Sequence, residues 1–137
     1  MGYEELYIDI DQDFDKFLKS RTFGYIKENW KYVTDIIGKY IILPEFFSIS
    51  LWYRRSSSGN VHLKLTIPYN MEILDQFQIR ALLHDDPWRI GIDLRRLAIQ
   101  GQSEINRIFE MKVKDGKVFR VGEWRDISRK VKQCQRI

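Results

Sequence analysis

Leu6-Tyr7-Ile8-Asp9-Ile10-Asp11 alternates apolar and polar residues with a period of two. That period is the mark of a β-strand with one buried and one open face. Leu6, Ile8 and Ile10 share the first face, and Tyr7, Asp9 and Asp11 share the second. Carboxylates at i and i+2 sit roughly 7 Å apart on a pleated strand. They repel each other unless a cation lies between or above them, and hard oxygen ligands suit Mg²⁺ or Mn²⁺.

Working outward, 137 residues make one domain, residues 1–137, with enough chain for a single core. Hydrophobic residues at 44% and charged residues at 31% exclude a disordered chain. No apolar run is long enough to span a bilayer. The N-terminus lacks a basic-then-apolar leader pattern, so a cytoplasmic location is expected. A single cysteine, Cys134, excludes an internal disulfide framework and a cysteine-clustered zinc site. Residues 112–137 hold nine Lys/Arg against three Asp/Glu, a net of +6, so with +4 overall the rest of the chain is near −2. A basic end beside an acidic body suits a phosphate-bearing partner, although a solvated basic terminus gives the same count.

Residues 25–41 place Ile26, Trp30, Val33, Ile37 and Tyr40 at helical spacing, with Pro44 beyond as a stop. Residues 47–54 predict a second strand with Ile49, Leu51 and Tyr53 inward and Trp52 and Arg54 outward. A polar turn follows at residues 55–60. Residues 61–67 alternate cleanly: Val61, Leu63, Leu65 and Ile67 inward, His62, Lys64 and Thr66 outward. Asn70 is placed to cap a helix over 71–83 whose buried stripe is Ile73, Leu74, Phe77 and Ala81. Residues 84–88 read as a loop in which His84, Asp85 and Asp86 cap turns. Residues 89–94 predict a fourth strand with Ile90, Ile92 and Leu94 inside and Asp93 outside. Residues 105–113 and 117–121 predict a hairpin turning on Asp115-Gly116, and 126–137 a short basic helix.

The order β-α-β-β-α-β over about residues 5–95 predicts an α+β fold, a ferredoxin-like sheet with both helices on one face. A C-terminal hairpin and basic tail follow over 105–137. In that topology the first and third strands are central and the fourth lies beside the first. The uncovered face then carries Asp9, Asp11 and Asp93 opposite His62 and Lys64, with Arg54 beyond. Acids on one side and cations on the other form a cradle for a metal-bound triphosphate. Hydroxyls of the 56–60 turn are placed to add to it.

Three short motifs carry a resemblance. Ile8-Asp9-Ile10-Asp11, then Ser58-Gly59-Asn60-Val61-His62-Leu63, then Ile90-Gly91-Ile92-Asp93 occur in this order. The chain thereby resembles the archaeo-eukaryotic primase (primase-polymerase) superfamily, whose catalytic core is RRM-like. The resemblance implies that Asp9, Asp11 and Asp93 bind catalytic Mg²⁺ or Mn²⁺, and that Ser58 and His62 contact the phosphates of a nucleoside triphosphate. Lys64 and Arg54 are added to the nucleotide site from their facing direction alone. It further implies a DNA-replication nucleotidyltransferase acting on DNA or RNA. The short chain without a cysteine cluster fits a reduced member of viral or plasmid type, with a partner protein or second copy completing it. Arg129, Lys130, Lys132 and Arg136 are the expected nucleic-acid contacts.

Other readings stand beside this one. An isolated Asp-x-Asp reads first as a solvent-facing pair, and Trp52, Trp88 and Trp124 read first as core or rim packing rather than base-stacking platforms. A non-catalytic nucleic-acid-binding module retaining a decayed site is the main alternative, and an assembly protein is a third. A rolling-circle nickase needs a second histidine where this chain has Lys64.

Overall fold

The computed structural model describes residues 4–40, 49–101, 105–106 and 111–132. They form an α+β fold on a four-stranded antiparallel sheet. Strands β1 (Glu4–Ile10), β2 (Ser50–Arg55), β3 (Val61–Ile67) and the short β6 (Arg125–Asp126) take the order β1-β3-β2-β6. Leu6, Ile8 and Ile10 of β1, Leu51 and Tyr53 of β2, and the four alternate apolar residues of β3 all face one buried layer, as their period required.

That layer is covered by α1 (Arg21–Ile37), α2 (Ile73–Leu82) and α4 (Ser128–Lys132). Helix α1 begins four residues earlier than its apolar spacing alone predicted, because the Ser20 hydroxyl accepts the Phe23 N–H at 3.1 Å and so caps it. Phe23, Ile26, Trp30, Val33 and Ile37 form its buried stripe. Helix α2 is rotated from the expected setting. Phe77 is buried as expected, but Leu74 is 66% exposed and Ala81 is exposed, and Asp75, Ile79 and Arg80 turn inward instead. Asp75 tolerates this because it accepts from the Tyr40 hydroxyl and from Lys39 Nζ at 3.1 Å. Asn70 is exposed, and Glu72 occupies the capping position of α2 without a side-chain bond.

The expected fourth strand is not formed. Residues 89–94 lie inside helix α3 (Pro87–Gln100), and their burial is inverted. Asp93 is 2% exposed, whereas Ile92 and Leu94 are 49% and 45% exposed. Asp86 accepts the Trp88 N–H at 2.9 Å and Pro87 occupies the first turn, a strong helix start. Arg89 then pairs one turn back with Asp85 at 2.7 Å. The last turn of α2 is closed by Asp85 N–H to Arg80 C=O and His84 N–H to Ala81 C=O, with His84 in the left-handed region.

Strand β1 is therefore an edge among the described residues, not a central strand. Side chains take the place of a neighbouring strand along it. Asn106 accepts the Tyr7 N–H at 2.8 Å and donates to the Tyr7 C=O at 2.9 Å. Arg89 Nη1 also donates to the Tyr7 C=O. The Asp85 carboxylate accepts the Asp9 N–H at 2.8 Å, and the Asp86 N–H donates to the Asp9 C=O at 2.9 Å. Every outward backbone group of Tyr7 and Asp9 is satisfied this way, as part-buried polar groups require. Asn106→Ala removes two of these bonds and is expected to cost about 1–2 kcal/mol, read as a lower urea midpoint at unchanged m-value.

Past α3, β4 (Met111–Lys114) and β5 (Lys117–Arg120) form the expected hairpin. Asp115 and Gly116 both have positive φ, as the two-residue turn demands. Cys134 and Arg136 lie outside the described residues. Among the described residues no helix is long and apolar enough to cross a membrane.

Candidate functional site: a cleft between the sheet and helix α3

The sheet face opposite the core carries Tyr7 and Asp9 from β1, His62 and Lys64 from β3, and Trp52 and Arg54 from β2. Antiparallel register sets Asp9 opposite His62 and His62 opposite Arg54. One part of this face is covered by Trp124, the residue just before β6. The Arg54 guanidinium lies 4.2 Å and Lys64 Nζ 4.7 Å from its ring centroid, and Tyr7 packs beside it at 6.3 Å. Lys64 also lies over Trp52. Two of the expected phosphate contacts, Lys64 and Arg54, are thus engaged with indole rings.

The Asp9–His62 end remains open. It is the floor of a cleft of about 700 Å³, flanked by the turn of residues 56–58 and walled by Trp88, Arg89, Ile92, Asp93 and Arg96 of α3. His62 is 4% exposed. Burial, followed by the nearby charges of Arg54 and Arg89, holds its pKa down at about 4, so the ring is neutral at pH 7. Arg54 Nε donates to His62 Nδ1 at 3.1 Å, which leaves the ring proton on Nε2. Nε2 faces Asp9 Oδ1 across 3.9 Å. Burial raises the Asp9 pKa. Arg89 opposes that rise, and Asp85, Asp86 and Asp11 add to it.

Asp93 lines the same cleft, but its carboxylate is engaged by Arg80 and Asn106. Asp93 Oδ2 is 2.8 Å from Arg80 Nη2 and accepts the Asn106 N–H at 3.0 Å. Arg80 in turn holds Asp85 through Nε at 2.7 Å. The result is a buried chain of alternating charge, Asp93-Arg80-Asp85-Arg89. Asp11 is exposed just past the end of β1. It accepts from Asn60 Nδ2 at 3.0 Å and lines a separate hollow with Asp13 and Asp15. Among the described residues no three His, Cys, Asp or Glu side chains gather where they could hold a metal ion. As placed, Asp9, Asp11 and Asp93 do not fit a shared divalent cation.

Ser58 flanks the cleft as expected, but its turn is largely self-satisfied. Ser56 Oγ accepts the Ser58 and Asn60 N–H groups at 3.3 and 3.0 Å, and Ser56 C=O accepts the Gly59 N–H. Arg129 and Lys130 are exposed on α4, on the helical side of the sheet, away from the cleft. Lys132 is engaged, donating to the Ile49 C=O at 2.7 Å, and burial lowers its pKa. Trp88, expected to pack in the core or at a rim, lines the cleft and is 81% exposed. Arg96 was missed altogether, because only a helix over 87–100 turns it toward β1. The i+4 ladder of Asp85, Arg89 and Asp93 carried that signal.

No family model, no curated protein and no solved structure matches the chain.

Proposed function

We propose that the protein is a non-catalytic nucleic-acid-binding module, which keeps a sheet face open at its Asp9–His62 end and part of a primase-like site. One observation carries this reading: the Asp93 carboxylate is paired with Arg80 at 2.8 Å, both residues buried. A divalent cation at Asp93 would face a fixed guanidinium, and like charges in a buried setting repel strongly. What lines the cleft suits a nucleotide unit instead. The exposed Arg96 offers a guanidinium group for phosphate, and the exposed Trp88 offers a face for a base. An RRM-like origin for the fold rests on the β1-α1-β2-β3-α2 order and on β3 lying between β1 and β2, with α3 in place of a last strand. A nucleic-acid partner goes with the intracellular setting expected from the sequence.

A second reading is the metal-dependent nucleotidyltransferase of primase-polymerase type. The meeting of Asp9 and His62 at 3.9 Å in a cleft that Asp93 also lines favours it. Two measurements separate them. Labelled nucleotide incorporation with Mn²⁺ on primed and unprimed templates is expected to stay at background for wild type and Asp9→Ala alike. Oligonucleotide binding is expected to be present and to weaken steeply with salt. Incorporation abolished by Asp9→Ala would replace the module with the enzyme, and failure of both assays would favour an assembly protein.

A further inference from the structure

Beside the cleft lies a second concavity of about 520 Å³, between the β4–β5 hairpin and the turn of residues 56–59. Its charged lining is wholly basic: Arg55, Lys114 and Arg120, with Phe119 and Val118 among them and no acid. Arg55 is fixed there, donating to Asp15 at 3.0 Å with its guanidinium over Phe14. The two concavities share Ser56, Ser57 and Ser58, so the turn is a low ridge between them. On one side of the ridge Phe119 is 43% exposed, and on the other Trp88 is 81% exposed.

Resting on the nucleic-acid reading, we infer that the hairpin groove is the main binding track for a single strand, which crosses the serine ridge and enters the cleft at Trp88. Arg55 is already paired with Asp15, but Lys114 and Arg120 line the groove with no acid in its lining and match a polyanion. Aromatic faces at both ends of the path select unpaired bases, because a base stacks on a ring only when it has left its own duplex. The serine hydroxyls between them are neutral and small, which lets a backbone pass closely. Neither Arg129 nor Lys130 lies on this track, since α4 packs behind the sheet.

The test is fluorescence anisotropy with a labelled oligothymidine of about twelve nucleotides and with its duplex. The K114E/R120E double variant is expected to bind about tenfold more weakly, with a salt slope reduced by about 1.4 for two lost single-strand phosphate contacts. F119A and W88A are each expected to weaken binding by about five- to tenfold. R129E/K130E is expected to stay within about twofold of wild type. Should charge reversal lower the melting temperature, K114Q/R120Q decides. Wild-type binding that K114E/R120E leaves intact, but Arg96→Glu weakens, overturns the groove and leaves the cleft reading standing. Equal affinity for duplex overturns the single-strand assignment. No binding of either probe at low salt overturns both.

Discussion

Asp85→Ala is expected to lower the unfolding free energy by about 3–5 kcal/mol, the largest stability effect expected of any single carboxylate among the described residues. Asp85 accepts four bonds: from Arg80 Nε, Arg89 Nη1, the Asp9 N–H and the Asp86 N–H. Its removal leaves the buried Arg80 and the part-buried Arg89 with only Asp93 and the nearby Asp9 as counter-charges among the described residues. It also strips the Asp9 N–H of its partner, so the edge of β1 loosens together with the start of α3. Chemical unfolding at pH 7 measures the loss. Asp85→Asn keeps the shape and some acceptor capacity, and is expected to recover only part of it. If Asp85→Ala costs less than about 1 kcal/mol, the buried charge chain does not anchor α3.

The second large effect is a loss of stability in acid centred on His62. Its pKa is about 4 in the folded protein against an ordinary 6.5. Between those values the unfolded chain binds the proton more readily, so folding stability falls as pH drops from 6.5 toward 4. The full difference is about 3 kcal/mol, at 1.36 kcal/mol per unit. Above 6.5 the ring is neutral in both states and contributes nothing. Asp9 acts the other way: its raised pKa favours the fold near the acid end and partly offsets the loss. Asp75, whose pKa is lowered chiefly by the Tyr40 hydroxyl, adds acid sensitivity only below 3.8. Unfolding curves at pH 7, 5.5 and 4 for wild type and His62→Gln check this. The variant retains an acceptor for Arg54 and cannot charge, so its pH dependence is expected to be flatter by most of that amount. Identical slopes for the two proteins would show that His62 is not held neutral.

Most of the sheet was legible because its residues obey one local rule. In β3, Val61, Leu63, Leu65 and Ile67 alternate without a break, and all are buried. Asp115-Gly116 set the hairpin for an equally local reason, the positive φ both residues adopt. The meeting of Asp9 and His62 also followed from facing direction once β1 and β3 were neighbours. Residues 89–94 defeated the same rule. Ile90, Ile92 and Leu94 are spaced as in a strand, and Gly91 argues weakly against a helix, so the period pointed the wrong way. The correct signal lay upstream in Asp86-Pro87 and in carboxylates and arginine four residues apart. Asp93 could not be placed from its neighbours at all, because its partner Arg80 comes from another helix. Trp88 and Arg96 followed the same error: their direction has meaning only on α3.

The flank of β1 is closed by groups that arrive late in the chain, Asn106 being 99 residues beyond Tyr7. During synthesis the first three strands can assemble well before that stopper exists. Until then the nascent sheet offers a bare row of donors and acceptors to any other extended peptide nearby. A chain cut after Leu83 would keep this flank permanently unguarded, and its expected fate is stacking into oligomers or fibres. The stretch from Asp85 to Asn106 therefore acts as an internal safeguard against self-association, whatever the protein binds.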